Sequence, residues 1–404
     1  MNAAADIAAR ASRRVVPPAR IALLGTGNVG RAVLARLAHW NGAALGGRLQ
    51  LVHVANSRVA FQPAMDDWWH SMDRRTLRRW HDGVLRVLDS APVHGDRVVA
   101  ADAHGPGLQV LSLSARQGLD IAADAIGDHG RRIVIDATAS EAVAECHAAW
   151  LEQGIHVVTA CKLGPGTSLA RWHAIQAGCT QGGTHYGDSA TVGAGLPLLR
   201  TLRELQAGGD RIHAIAGVLS GSLGWLLDRY DGLRPFSGLV REARDAGYTE
   251  PDPREDLSGE DVRRKILILA RAAGAWLEAG DVEVDSLVPQ ELAAQAASRV
   301  DAALPVLDSP LRERHAAACR HGGRLRFIAR LEGVHAGKAN ARVGLESLGA
   351  GHPLVGGTGT DNRVAIWSDR YNEQPLLIQG PGAGAGVTAA ALLDDALRIA
   401  GSGR

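Results

Sequence analysis

The chain has 404 residues, 46% of them hydrophobic and 22% charged, with a formal net charge of +1. That length suits two or three domains, each able to bury a core. The charge balance supplies neither the basic field that attracts nucleic acid nor an acidic tail, and no apolar run approaches the roughly 20 residues that span a bilayer, so no nucleic-acid or membrane partner is expected.

In chain order, residues 1–18 contain Ala and Arg but no apolar signal-peptide core, and read as a short disordered extension. Arg20 to Leu24 is an apolar strand, followed by Gly25-Thr-Gly27-Asn28-Val29-Gly30 and by helical spacing of Val33, Leu34 and Leu37. Leu49 to Ala55 fits the next parallel strand. From Phe61 to His81 the chain turns polar and Trp-rich (Trp68, Trp69, Trp80), which reads as a surface excursion. A helix over Leu113–Ile126, a strand over Arg132–Ala137, a helix over Glu141–Gln153 and a strand over Ile155–Thr159 follow. Strands alternating with helices predict an α/β fold, a doubly wound parallel sheet of Rossmann type, over 19–161. Beyond Lys162 helices dominate (Ser168–Ala177, Leu196–Gln206, Ser222–Tyr230, Ser237–Ala246, Asp261–Ala273). Beta-type runs return at Leu325–Leu331, Ala339–Leu345, Arg363–Ser368 and Leu376–Gln379, which predicts an α+β domain over 162–375. A last helix is expected over Val387–Ala400. The four cysteines (Cys146, Cys161, Cys179, Cys319) form no Cys-x-x-Cys pair, which argues for reduced thiols in a cytoplasmic enzyme and against a zinc site.

The motifs carry the chemistry. Gly25-x-Gly27-x-x-Gly30 lies between a strand and a helix, the context in which it binds a dinucleotide. Gly25 permits the tight turn, Gly27 lets the backbone approach a pyrophosphate at the helix start near Asn28 and Val29, and Gly30 lets helix and strand pack closely. At the end of the second strand, where an acidic residue would bond the ribose 2′-hydroxyl of NAD, the chain has Ala55-Asn-Ser57-Arg58. No carboxylate repels a 2′-phosphate there, and Ser57 and Arg58 are suited to bind one, so NADP is favoured over NAD. Thr138, Ala139 and Ser140 end the next strand and suit a nicotinamide-ribose site; Ser140 or Thr138 also suits a helix cap. Lys162 closes the following strand, where it can polarise a carbonyl or donate a proton. Cys161 beside it admits a thiol nucleophile, the chemistry of an acylating aldehyde dehydrogenase; a buried, inert thiol is the favoured reading. A cofactor-binding module without turnover is the non-enzymatic alternative.

Asp188-Ser-Ala-Thr-Val192-Gly-Ala194-Gly-Leu196-Pro197 is a glycine-rich loop whose exposed carbonyls would suit a hard cation. Gly247-Tyr248-Thr-Glu250-Pro-Asp252-Pro-Arg-Glu-Asp256-Leu-Ser-Gly-Glu-Asp261-Val-Arg-Arg-Lys265 holds six carboxylates around two prolines. The prolines keep the segment extended, and Ser258-Gly259 starts a helix. Asp261 and Lys265 then share one helix face, a pair that elsewhere is a weak surface contact. Here it is suited to hold a cationic amine and to move a proton.

These segments together resemble homoserine dehydrogenase, over roughly Ile21 to Ala400. The segment from Gly247 to Lys265 carries most of the resemblance, with Leu219-Ser-Gly-Ser-Leu223 before it and the closing Gly380-Pro-Gly-Ala-Gly384-Ala-Gly-Val-Thr-Ala389. The likeness is greatest to the dehydrogenase half of bifunctional aspartokinase–homoserine dehydrogenases, with no kinase half present. The resemblance implies reversible NAD(P)H-dependent reduction of L-aspartate 4-semialdehyde to L-homoserine, a step toward threonine, methionine and isoleucine. It implies Lys265 as main proton donor and Lys162 as polariser or co-donor. Glu250 and Asp261 would bind the substrate ammonium and hold Lys265, Asp256 would complete that network, and Gly247 and Tyr248 would shape the pocket. Thr138, Lys162 and Gly384 would lie on the nicotinamide side. It also implies a homodimer through the second domain, a return of 376–404 to the nucleotide domain, and a sodium site on the carbonyls of Val192, Ala194 and Leu196. The chain departs from the family in carrying Cys161 where Asn is usual, Leu163 where a second Lys is common, and Ser189 where the cation loop is usually acidic.

Overall fold

The computed structural model describes residues 17–40, 47–63, 82–88, 97–99, 108–112, 115–334, 337–357 and 359–402. Most of the expected N-terminal extension, and the tryptophans Trp68, Trp69 and Trp80, lie outside the described residues.

Two sheets organise the chain. The first contains β1 (Ala19–Leu24), β2 (Leu49–Ala55), β3 (Val59–Pro63), β4 (Arg97–Val99), β5 (Leu108–Ser112), β6 (Arg132–Asp136), β7 (His156–Thr159) and β8 (Tyr186–Gly187), in the spatial order β4-β5-β3-β2-β1-β6-β7-β8. The run from β2 to β8 is parallel, whereas β3, β5 and β4 are antiparallel. Helices on both faces leave the central strands no solvated side, which is why β1 and β6 are almost continuously apolar. The expected parallel sheet is thus present with an antiparallel extension. Phe61, placed by sequence in a surface excursion, sits in β3 with its side chain fully buried.

The second sheet contains β9 (Ile212–Val218), β10 (Val282–Val284), β11 (Gly323–Glu332), β12 (Asn340–Gly349), β13 (Asp361–Ser368) and β14 (Leu376–Pro381), ordered β10-β12-β11-β9-β13-β14. Helices Leu198–Ala207, Gly221–Arg229, Phe236–Asp245 and Glu260–Ala272 pack against one face in the largest hydrophobic cluster.

Two boundaries and one strand differ from the sequence reading. The first sheet runs past residue 161, since β8 pairs with β7 and helix Leu169–Gly182 lies against helix Glu141–Glu152. Strand β14 pairs with β13 in the second sheet, so the return to the first domain is made by helix Ala385–Gly401 alone. Its Ala389, Leu392, Leu393 and Ala396 are buried in the cluster that contains Ile21, Leu23, Val33 and Leu34. Strand β9, the inner strand between β11 and β13, went unpredicted because Ile-His-Ala-Ile-Ala-Gly-Val has few strong strand formers.

One core residue makes stability pH-dependent. His53 on β2 is fully buried, neither ring nitrogen has a hydrogen-bond partner among the described residues, and burial pushes its pKa down to about 4. An unfolded chain protonates near pH 6.5, so the neutral ring's contribution is complete above that pH and is lost as pH falls from about 6.5 toward 4. Replacing His53→Leu removes this proton uptake. Denaturant unfolding at about pH 7.5 and about pH 4.5 should show the variant gaining about 2–3 kcal/mol on the wild type across that interval.

Candidate active site

The carboxyl ends of β1, β6 and β7 are in register, with Leu24 opposite Asp136 and Asp136 opposite Thr159. The segments that follow therefore line one crevice, the position where open α/β sheets bind ligands. After β1, Gly25 has φ +96°, and a Cβ there would lie 2.7 Å from the Ala137 carbonyl oxygen. Any side chain at Gly30 would collide with the Gly25 carbonyl, whereas Gly27 faces open space. Helix Asn28–Trp40 begins here, presenting Asn28 and Val29 at its first turn. This is a cradle that only glycines allow, open on the side a pyrophosphate would take, and the residues present fit a dinucleotide.

Asn56, which the sequence reading passed over, builds the cradle's other wall. Its Oδ1 accepts the backbone N–H groups of Arg58 and Val59, and its Nδ2 donates to the Thr26 hydroxyl at 2.8 Å. Ser57 and Arg58 are thereby held exposed at the β2–β3 turn. Thr138 donates its N–H and hydroxyl to Asp136 and touches the glycine turn. Ser140 occupies the N-cap of helix Glu141–Glu152, yet its side chain makes no capping bond, and Ala139 lies between the two.

Lys162 follows β7 and meets the second domain. Its Nζ is 3.4 Å from Asp261 Oδ1, while Lys265 Nζ is 2.7 Å from Asp261 Oδ2. Lys265 also donates to the Leu219 carbonyl at 2.7 Å. One carboxylate thus bridges two ammoniums contributed by two domains. Burial alone would raise the Asp261 carboxyl; the Lys265 and Lys162 charges outweigh it and hold it down at about 2. Helix Glu260–Ala272 is seated for this role by Arg271, a buried residue that sequence reasoning missed. Its guanidinium donates to the carbonyls of Pro165, Thr167 and Leu277, at 2.7, 2.7 and 3.0 Å. The helix is therefore pinned directly to the turn that follows Lys162.

The acidic segment divides its carboxylates. Asp252 is spent on Arg254 at 2.6 Å, and Glu260 on Arg263 at 2.5 Å. Asp256 accepts from the Ser222 hydroxyl at 2.6 Å and from the Glu250 backbone N–H at 2.8 Å, so it braces the loop against Leu219–Leu223. The Glu250 carboxylate is exposed, with no side-chain partner among the described residues. Gly247 ends helix Phe236–Asp245 in the left-handed region at φ +75°. The next residue, Tyr248, stacks on Trp225 with ring centroids 5.0 Å apart.

Two further predicted groups are Gly384 and the Val192–Leu196 loop. Gly384, at φ +129°, caps helix Ala385–Gly401. In the Val192–Leu196 loop, Gly193 and Ala194 both have positive φ, and the Leu196 carbonyl accepts the Leu198 N–H. Asp188 is clamped by Arg203 at 2.7 and 2.6 Å, and the Ser189 hydroxyl donates to Asp395. A cation seated here would rest on backbone carbonyls alone. Cys161 is 2% exposed, and burial, reinforced by the Asp136 charge, pushes its thiol up to about 12. A thiol in that state is a poor nucleophile, so the acylating-dehydrogenase reading loses its central residue.

Fold and cleft together define a two-domain protein of the dinucleotide-binding kind. The family model for the homoserine dehydrogenase NAD-binding domain matches residues 25–186, and that for homoserine dehydrogenase matches 197–397. The homoserine dehydrogenase of Emericella nidulans is 36% identical over 281 residues, covering 67% of this chain and 76% of that one, and the chain belongs to the homoserine dehydrogenase family. The chloroplastic bifunctional aspartokinase/homoserine dehydrogenase 2 of Zea mays is 42% identical over 270 residues, or 67% of this chain; the match spans only 29% of that longer enzyme. Among solved structures, a Candida auris protein of unknown function is similar at 30% identity with a TM-score of 0.77, covering 95% of this chain and 98% of that one. A hyperthermophilic archaeal homoserine dehydrogenase in complex with NADPH shares the fold at 19% identity and a TM-score of 0.67, covering 95% and 97%. No helix among the described residues is long and apolar enough to cross a membrane.

The state of Cys161 is directly measurable. With iodoacetamide at about pH 8, it should alkylate at least about a hundredfold more slowly than the exposed Cys319, because thiolate falls tenfold per pH unit below the pKa. Peptide mass spectrometry over time reads both rates; equal rates would contradict the buried geometry.

Proposed function

We propose that this protein catalyses the reversible NADP-linked reduction of L-aspartate 4-semialdehyde to L-homoserine. The observation that carries the reading is the Lys162–Asp261–Lys265 bridge, with Lys162 at the same edge of the first sheet as the glycine cradle. The bound dinucleotide supplies the hydride, and the protein must supply a proton to the oxygen of the reduced aldehyde.

Lys265 is suited to that task. Its ammonium has three N–H groups; Asp261 and the Leu219 carbonyl take two, which leaves one for a substrate oxygen. Lys162, on the nucleotide side of the same carboxylate, adds positive charge where an alkoxide would develop. Asp261 keeps both lysines in place and, held near 2, remains ionised throughout the working pH range. Glu250 has a carboxylate to offer the substrate ammonium, Asp256 fixes the Glu250 backbone, and Gly247 and Tyr248 form the adjoining wall. Thr138 and Gly384 belong to the nicotinamide side of the reading. Arg58 supports NADP over NAD, since its exposed fork has no neighbouring carboxylate in Asn56-Ser57. No step is routed through a cation. The reading includes a cytoplasmic homodimer joined through the second domain, and no macromolecular substrate.

The test is spectrophotometric reduction of NADP+ with L-homoserine. Lys265→Ala should lower kcat by at least about a hundredfold, the range for loss of a general acid–base group. Full turnover in that variant, or none in the wild type, overturns the reading. Arg58→Ala should raise the KM for NADP+ about tenfold while changing that for NAD+ by less than about twofold, because only the former carries the 2′-phosphate.

A further inference from the structure

The reaction proposed above leaves one buried polar cluster of the first domain without a role. Asp136 ends β6, and both it and His147 are fully buried. A carboxylate removed from water is costly unless hydrogen bonds replace its hydration. Here Oδ1 accepts from the backbone N–H and the hydroxyl of Thr138, at 2.9 and 2.7 Å. Oδ2 accepts from the Thr159 hydroxyl at 3.0 Å and lies 3.1 Å from His147 Nε2. The imidazole Nδ1 is 3.0 Å from the Tyr186 hydroxyl. Beside the carboxylate, Nε2–H is the donor to Oδ2; in a neutral ring Nδ1 then accepts from the Tyr186 hydroxyl.

Both arms of the network reach the crevice. On the Oδ1 side, the Thr138 hydroxyl also accepts the Ser140 N–H at 3.1 Å, and its methyl group would stand 3.0 Å from a Cβ on Gly25. On the Oδ2 side, the Thr159 hydroxyl accepts the Cys161 N–H at 2.8 Å, which fixes the peptide leading into Lys162. The turn after that lysine, closed by the Gly166 N–H on the Lys162 carbonyl at 2.8 Å, lies against the side chains of His147 and Tyr186. A Cβ on Gly164 would collide with the Tyr186 hydroxyl and lie 2.9 Å from His147 Nδ1. Lys162 is thus held from below at the peptide before it and at the turn after it.

We propose that Asp136 and His147 are positioning residues for the reaction, one carboxylate setting both the Thr138 turn and the reach of Lys162 toward Asp261. The inference rests on the role given to Lys162 under the proposed function. Stability alone does not call for one carboxylate to divide its oxygens between the two strand ends that border the crevice. Placement of a reacting group does, because small misplacements cost large factors in rate.

A double-mutant cycle tests this. His147→Leu should lower kcat about tenfold with the KM for homoserine within about threefold, while His147→Gln, which keeps a donor and an acceptor, should stay within about threefold of wild type. In a Lys162→Ala background His147→Leu should cost less than about threefold, because the lysine it positions is gone. Thermal melts establish that each variant folds; if the leucine variant does not, Asp136→Asn takes its place in the cycle. Unchanged kinetics in His147→Leu, or the full loss repeated without Lys162, overturns the proposal. If the wild type itself fails to oxidise homoserine, the functional reading falls, and amide exchange in the free protein decides this one. His147→Leu should then speed exchange at Thr138 and Cys161 at least about tenfold and leave Ile21–Leu23 unchanged. Unchanged exchange at Thr138 and Cys161 overturns it.

Discussion

The cleft depends on one carboxylate shared by two ammoniums. Lys162 and Lys265 come from different domains, and two like charges this close would repel without Asp261 between them. Each domain alone has an incomplete site: the first has a lysine at a strand end, the second has an i,i+4 pair on a helix. The pairing converts an interaction that is worth little on an isolated helix into a junction between the two domains.

Packing brings that carboxylate to its place. Helix Glu260–Ala272 starts at Gly259, where φ is +79° and the ring of Phe327 leaves no room for a side chain. It buries Val262, Ile266, Leu267 and Leu269 against the second sheet. Its far end carries Arg271, whose two terminal guanidinium nitrogens donate to the carbonyls of Pro165, Thr167 and Leu277. Burial lowers the pKa of that guanidinium to about 10, which still leaves it charged at neutral pH. The helix therefore has little freedom to slide relative to the Lys162 turn. The C-terminal helix adds a second tie, with its leucines in the first core and Asp395 accepting from the N–H and hydroxyl of Ser189.

Much of this was legible in the residues. A glycine turn between an apolar strand and a helix is a local pattern, and its chemistry follows from backbone sterics alone. The Gly247–Lys265 segment was legible in part for the same reason, since a helix start and the i,i+4 spacing are local; the short helix Arg254–Leu257, inside the stretch expected to be extended, was not. What escaped was non-local. Strand β9 has weak strand formers and is a strand because β11 and β13 flank it. Phe61 was grouped with the polar stretch after it, although the turn at Asn56 folds it back beside β2. Arg271, Asn56 and His147 look like ordinary residues in sequence, because their partners are 11 or more positions away or belong to the backbone.

The sequence by itself determined the chemistry available: a dinucleotide cradle, two lysines, a set of carboxylates and the family that combines them. Only the tertiary structure decided how the carboxylates are divided. Asp252 and Glu260 are neutralised by neighbouring arginines, Asp256 braces a loop, and Asp261 alone joins the two lysines. It likewise decided that Cys161 is buried and that Asp136 is fully engaged below the crevice. The physical reason is common to all of them. Residue type sets what a group can donate or accept, but burial and the distance to partners brought together by folding set whether it does.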